Sequence, residues 1–228
     1  MSHHINIVRI KGVYNALGTL KNDVVFIGGA TVSLYADNPL QTDVRPTIDI
    51  DILVEILTYG RYVKVQEMLA GLGFHVDKES KIICRYRYQG LIVDIMPIDE
   101  AVLGFNNKWY KEGYATRMVC NIDENTKVNI FTPPYFIASK LEAFKARGKN
   151  DGRQSRDFED IVFVLDNRKK VWDEMKAADE ALGDYLKKQF TLLYEKPHIE
   201  EWISCHLEPA TSTARAKKIM HAMNGFLL

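Results

Sequence analysis

Apolar positions recur along this chain with two different periods, and the change of period divides it. From Ile5 to Leu20 the apolar residues Ile5, Val8, Val13, Ala16, Leu17 and Leu20 fall close to helical spacing. Asp23 to Ile27 reads as a buried strand running into Gly28-Gly29, and Ala30 to Ala36 as a helix that Asn38-Pro39 ends. A polar loop over Leu40 to Pro46 leads to a second strand, Ile48 to Val54. Arg61 to Leu72 carries a helical stripe of Val65, Met68, Leu69 and Leu72, closed by Gly71 and Gly73. Phe74 to Lys78, Ile82 to Tyr88 and Leu91 to Met96 are expected as strands, the last two joined at Gln89-Gly90. Thr116 to Cys120 and Lys127 to Phe131 form one more expected hairpin.

Beyond Thr132-Pro133-Pro134 the pattern is helical, with almost no strand signal. Thr132 is a candidate N-cap with Pro133 at the first helical position. Helices are expected over Pro133 to Arg147, Ser155 to Leu165, Val171 to Ala181, Tyr185 to Tyr194, Ile199 to His206 and Thr213 to Met223. The chain therefore reads as an α/β (α+β) domain over residues 1–131 and a helical domain over 132–228, with no internal repeat.

Composition narrows the function classes. A hydrophobic share of 46% and a charged share of 26% are those of an ordinary soluble globular protein. Lys plus Arg equals Asp plus Glu at 30 each, so there is no bulk electrostatic pull toward nucleic acid or an anionic membrane. Cys84, Cys120 and Cys205 are odd in number and far apart, which gives neither a zinc pattern nor a disulfide framework and fits a reducing cytoplasm. No stretch approaches the roughly 20 apolar residues of a membrane span, and no membrane partner is expected.

The candidate chemistry lies in Ile48-Asp49-Ile50-Asp51-Ile52-Leu53-Val54. Side chains alternate across a strand, so Asp49 and Asp51 share one face while Ile50, Ile52 and Val54 share the other. Two unit charges about 4 Å apart repel by roughly 4 kcal/mol at an effective dielectric of 20. Such a pair is tolerated if a divalent cation sits between the carboxylates, if one is protonated, or if the strand end is well hydrated. A third apolar-flanked carboxylate, Asp94 in Leu91-Ile92-Val93-Asp94-Ile95-Met96, and the Gly28-Gly29 turn favour the cation. The glycines let backbone approach a ligand without a Cβ in the way, and Mg²⁺ is commonly shared between carboxylates and substrate phosphates. Phosphoryl or nucleotidyl transfer is the indicated reaction class.

Taken in order, Ile27-Gly28-Gly29-Ala30-Thr31, then Arg45-Pro46-Thr47-Ile48-Asp49-Ile50-Asp51, then Asp94, this arrangement resembles the nucleotidyltransferase superfamily of the DNA polymerase β kind. The run Lys140 to Arg147, followed by Arg156-Asp157-Phe158-Glu159-Asp160-Ile161, is similar to the helical half of its abortive-infection and type IV toxin–antitoxin branch. The resemblance implies a strongly twisted mixed sheet with flanking helices, followed by a helical region. It implies that Asp49 and Asp51 bind one or two Mg²⁺ ions and that Asp94 binds metal or acts as base. Gly28, Gly29, Thr31, Arg45 and Lys140 would meet the nucleotide. It further implies transfer of an NMP from an NTP with release of pyrophosphate, an RNA, protein or small-molecule acceptor, and an antitoxin partner. Nineteen residues separate Gly29 from Asp49, more than the family usually places there, and an extra loop around Asp37 to Asp43 would absorb them.

Other readings stand beside these. A catalytically silent nucleotide- or partner-binding module on the same fold is one. Asp94 is also placed to pair with Arg85 or Arg87 on the preceding strand, and Arg156, Asp157 and Asp160 to join a salt-bridged network between helices. Arg147, Lys149, Arg153 and Arg156 form a local basic cluster suited to RNA or simply to solvent. Trp109-Tyr110 and the Tyr86/Tyr88 pair are candidates for base stacking, with packing the commoner use of such residues.

Overall fold

A computed structural model describes residues 2–38, 44–56, 59–99, 102 and 107–228. The loop expected over Asp37 to Asp43 thus lies largely outside the described residues. The chain divides into two compact units, one of Met1–Leu34 with Pro39–Thr132, the other of Tyr35–Asn38 with Pro133–Leu228.

In the first unit, helix α1 (Ser2–Ala16) is followed by strand β1 (Val24–Ile27), all four residues of which are buried. Next come β2 (Asp49–Val54), helix α2 (Tyr59–Gly71), β3 (His75–Val76), β4 (Arg85–Tyr88), β5 (Leu91–Pro97), helix α3 (Tyr110–Ala115), β6 (Met118–Asn121) and β7 (Lys127–Ile130). The strands make one mixed seven-stranded sheet in the order β3-β4-β5-β2-β1-β7-β6. β2 runs parallel to β5 and antiparallel to β1, and β1 runs parallel to β7. Burial is why the central strands are apolar: Val25, Ile52, Leu53, Val93 and Ile130 have no measurable exposure. Ile50 lies opposite Val93 and Ile52 opposite Ile95, so the core face of β2 packs register by register on that of β5. Each such side chain contributes about 1.5–3 kcal/mol of apolar burial. From α1, the fully buried Ile10 and Val13 join the core.

The second unit is helical: α4 (Pro133–Arg147), α5 (Arg156–Asn167), α6 (Val171–Lys176), α7 (Glu180–Tyr194), α8 (Ile199–Ser204) and α9 (Ser212–Leu227). Ser155 caps α5 by accepting from the Phe158 amide, and Asp179 caps α7 by accepting from Leu182 N at 3.0 Å. Phe144, Phe158 and Trp202 form one aromatic cluster, and Trp172, Phe190 and Phe226 another.

Two local expectations change, and one helix has no counterpart among them. The segment expected as a helix from Ala30 is a 3-10 run, Gly29–Tyr35, because Thr31 closes back onto the Gly28 carbonyl three residues earlier. The helix expected from Val171 to Ala181 stops at Lys176, and the next begins at Glu180 rather than Tyr185, because Asp179 supplies a cap that restarts the helix. Helix α3 carries too short an apolar pattern to stand out in the sequence; its Tyr114 is buried and bonds the Asp23 carbonyl at 2.9 Å.

Candidate active site

The site is a row across four strands. Arg85 of β4 lies opposite Asp94 of β5, Asp94 opposite Asp51 of β2, and Asp51 opposite Ile27 of β1, which runs straight into Gly28. Asp49 stands two residues before Asp51 and shares its face. One oxygen from each of Asp49, Asp51 and Asp94 can be chosen so that all lie within 4.8 Å of one another. No other grouping of three or more His, Cys, Asp or Glu suited to a metal occurs among the described residues. Parallel pairing of β2 with β5 is the cause, since it sets Asp51 directly against Asp94.

The glycine turn closes against this cluster. Gly28 has φ +76°, a conformation that favours glycine, and a Cβ there would lie 2.8 Å from Cγ of Asp51 and nearer still to its Oδ2. At Gly29 a Cβ would meet Thr47 Cγ2 at 2.9 Å and Nη2 of Arg45 at 3.1 Å. The backbone of both residues is therefore pressed onto the acidic strand and its lead-in. That lead-in is fixed from α1. Buried Asn6 donates to the Arg45 carbonyl at 3.1 Å and accepts from the Thr47 amide at 3.0 Å, while Arg9 donates to the Thr47 carbonyl. A polar residue buried this deeply is tolerated because its amide group is bonded on both sides. Asn6 and Arg9 carry no motif in the sequence, and only contact reveals their part.

Arg85 dominates the electrostatics. Its Nε reaches Asp94 Oδ1 at 2.8 Å, and its Nη2 reaches Asp94 Oδ2 at 2.7 Å and Asp49 Oδ2 at 3.2 Å. The fork on Asp94 raises the arginine's pKa further above its ordinary range, against the opposing effect of burial. The Asp94 side chain is 8% exposed and that of Asp49 38%, so Asp49 is the more open of the two. Next to Arg85, burial followed by the Asp94 charge pushes the Cys84 thiol up to about 12, which leaves it a poor nucleophile.

Of the residues expected to meet a nucleotide, Gly28, Gly29 and Arg45 stand together beside the carboxylates. Thr31 is fully buried, and its hydroxyl donates to the Gly28 carbonyl at 3.0 Å, so its side chain holds the turn from below. Lys140, in the helical unit, is buried with its Nζ 2.6 Å from Asp160 Oδ2 and 3.4 Å from Asp157 Oδ1. Arg147 forks Asp157 at 2.6 and 2.7 Å. Burial works against the charged form of Asp157, but the Arg147 hydrogen bonds and the Lys140 charge outweigh it and hold its pKa below the usual range. Asp157 and Asp160 thus tie α5 to α4. In the basic cluster, Arg153 also binds Asp151 and Glu201. The aromatic candidates pack: Trp109 and Tyr86 are buried, and Tyr88 stacks on Phe74 with centroids 4.6 Å apart.

Three close carboxylates are hard oxygen donors of the kind Mg²⁺ takes, and their partial exposure at Asp49 and Asp51 leaves room for water and phosphate ligands. The residues fit a divalent cation.

Comparison with known proteins bears on the fold and the family. A crystal structure of an antigenic nucleotidyltransferase-like protein from Paracoccidioides brasiliensis matches 91% of this chain and 96% of its own, with a TM-score of 0.53 and 18% identity, a likeness of fold. No curated protein matches the chain. The family model described as nucleotidyl transferase AbiEii toxin, type IV TA system, matches residues 13–225, nearly the whole length. On that match the chain belongs to the AbiEii nucleotidyltransferase toxin family, and it is a nucleotidyltransferase.

Proposed function

We propose that the protein moves a nucleoside monophosphate from an NTP to an acceptor hydroxyl, with release of pyrophosphate, in a Mg²⁺-dependent reaction at Asp49, Asp51 and Asp94. The observation that carries this reading is the approach of the three carboxylates to within 4.8 Å at the edge of a glycine turn pressed against Asp51. Bound there, magnesium would supply charge neutralisation at the phosphate oxygens and at the attacking and leaving oxygens of an in-line displacement. Asp49 and Asp51 hold it from one strand and Asp94 from the next. Gly28 and Gly29 admit the triphosphate to backbone N–H groups, since neither carries a side chain to keep it away. Arg45, whose guanidinium flanks Gly29, offers a charge-assisted contact to phosphate. Thr31 keeps the turn in shape. Lys140 keeps α4 and α5 together through Asp157 and Asp160. Asp94 acts toward the metal rather than as base, because both its oxygens already accept from Arg85.

In the toxin setting of the family, the acceptor is an RNA or a protein, and an antitoxin partner in the cytoplasm holds the enzyme in check. No described helix is long and apolar enough to cross a membrane. The test is Asp49→Ala combined with Asp51→Ala, read by label transfer from each NTP in the presence of Mg²⁺ and total cellular extract. Expected is a loss of transfer of at least a hundredfold, with growth arrest on expression relieved in parallel. Transfer at the wild-type rate by the double variant refutes the proposal.

A further inference from the structure

The buried stripe of α7 carries one amide. Leu182, Leu186, Gln189 and Leu193 follow one another at helical spacing and all are buried, so Gln189 holds a position that the stripe otherwise gives to leucine. It is 8% exposed, and its side chain hydrogen-bonds no described residue. A buried amide without partners costs free energy that a leucine there would not, so packing does not account for it. Gln189 lines a cavity of about 460 Å³ within the helical unit, together with Phe144, Asn150, Leu193, Glu195 and Lys196. Small-molecule sites span roughly 300–1,000 Å³ and set a few polar groups among apolar walls.

Phe144 and Leu193, both buried, give the cavity an apolar wall on which an aromatic base can pack. A carboxamide presents a donor and an acceptor side by side, the complement of the adenine N6/N7 edge. Gln189 supplies one such group. Asn150 supplies a second, from a loop in which Lys149 and Asn150 take left-handed φ values of +50° and +56°. Two successive residues other than glycine in that conformation are uncommon, and such backbone persists where the surroundings hold it. Glu195 offers an acceptor for ribose hydroxyls. Lys196 is half-buried with no carboxylate in ion-pair range among the described residues, and it offers a charged donor for phosphate. We propose that this cavity binds an adenine nucleotide, free or at the end of an RNA strand, with Gln189 reading the base and Lys196 holding the phosphate. The site lies wholly in the helical unit and does not depend on the reaction proposed at Asp49, Asp51 and Asp94.

Calorimetric titration of the full-length protein in EDTA, with AMP and separately with a short oligoadenylate, tests this. The wild type is expected to bind one AMP per chain, and Asp49→Ala plus Asp51→Ala to bind it equally well. Gln189→Met, close in volume, is expected to weaken AMP at least about fivefold, the low end of the worth of a bidentate amide–adenine pair. It should also melt no lower than the wild type, because it removes an unpaired buried amide. Loss of binding without loss of stability is what a merely structural glutamine would not give. Should circular dichroism show Gln189→Met unfolded, Lys196→Gln takes its place, with the same fivefold loss for AMP and none for adenosine. An oligoadenylate at least tenfold tighter than AMP makes an RNA strand the source of the nucleotide, and any smaller preference makes it the free nucleotide. No binding of either probe, binding that the folded variant weakens less than fivefold, or binding that the aspartate variant abolishes overturns the inference, while nucleotidyl transfer stands or falls separately on the label-transfer assay.

Discussion

Gly28→Ala separates the backbone cost of the glycine turn from its contact with the acidic cluster. Gly28 sits at φ +76°, where an L-residue pays about 1–2 kcal/mol. For a chain of this length each kcal/mol lowers Tm by roughly 2–4 °C, so the backbone term alone is worth about 2–8 °C. The added methyl would also lie 2.8 Å from Asp51 Cγ. Carbon atoms at rest stand about 3.5–4.0 Å apart, so the carboxylate must retreat by roughly 1 Å. A displacement of that size at a reacting centre costs on the order of a hundredfold in rate. Gly90 provides the control: its φ is +81°, yet a Cβ there meets nothing within 4 Å. Gly90→Ala should therefore show the same fall in Tm and ordinary turnover. The assay is pyrophosphate release from NTP with Mg²⁺ and cellular extract, beside thermal unfolding of each variant. If Gly28→Ala keeps turnover within threefold of the wild type, or if Gly90→Ala loses as much, the proposed contact between the turn and Asp51 has no catalytic weight.

Two further outcomes follow from the buried groups. Cys84, with its thiol pushed up to about 12, should resist iodoacetamide at pH 8 in the folded protein while the exposed Cys205 is alkylated; mass spectrometry of the digested protein reads both, and equal labelling would contradict the assigned burial. Asp157→Asn leaves the buried Lys140 with one fewer anionic partner, and breaking a buried pair costs about 3–5 kcal/mol, or roughly 6–20 °C in Tm. Because the folded pKa of Asp157 is depressed, the stability it contributes is present above its unfolded value near 4 and is lost as pH falls through the folded one. The Tm gap between wild type and Asp157→Asn should accordingly narrow from pH 7 toward pH 3, and a gap that stays constant over that range would show that charge is not what Asp157 contributes.

Much of this architecture is legible in the chain because its causes are local. Alternation places Asp49 and Asp51 on one face and Ile50 and Ile52 on the other without reference to any neighbour. Gly28-Gly29 after an apolar run marks a turn, and the change of period at Thr132-Pro133 marks where strands give way to helices. Other features depend on partners remote in sequence. That Asp94 lies against Asp51 requires the parallel register of β2 on β5, which no periodicity encodes. That Arg85 rather than Arg87 reaches Asp94 is a matter of register: the two arginines share a face of β4, but Arg85 is the one opposite Asp94 of β5, whereas Arg87 is opposite Ile92 and pairs with Asp77. Thr31 and Lys140 look like ligand-binding residues in the motif, and folding buries both, the one against a carbonyl and the other between two aspartates. By itself the sequence determined the elements, the polarity of their faces and the chemical types available at a glycine turn and an acidic strand, since these follow from spacing along one backbone. Only the tertiary structure decided which charges meet, because register and burial are settled between strands and helices that the chain brings together from far apart.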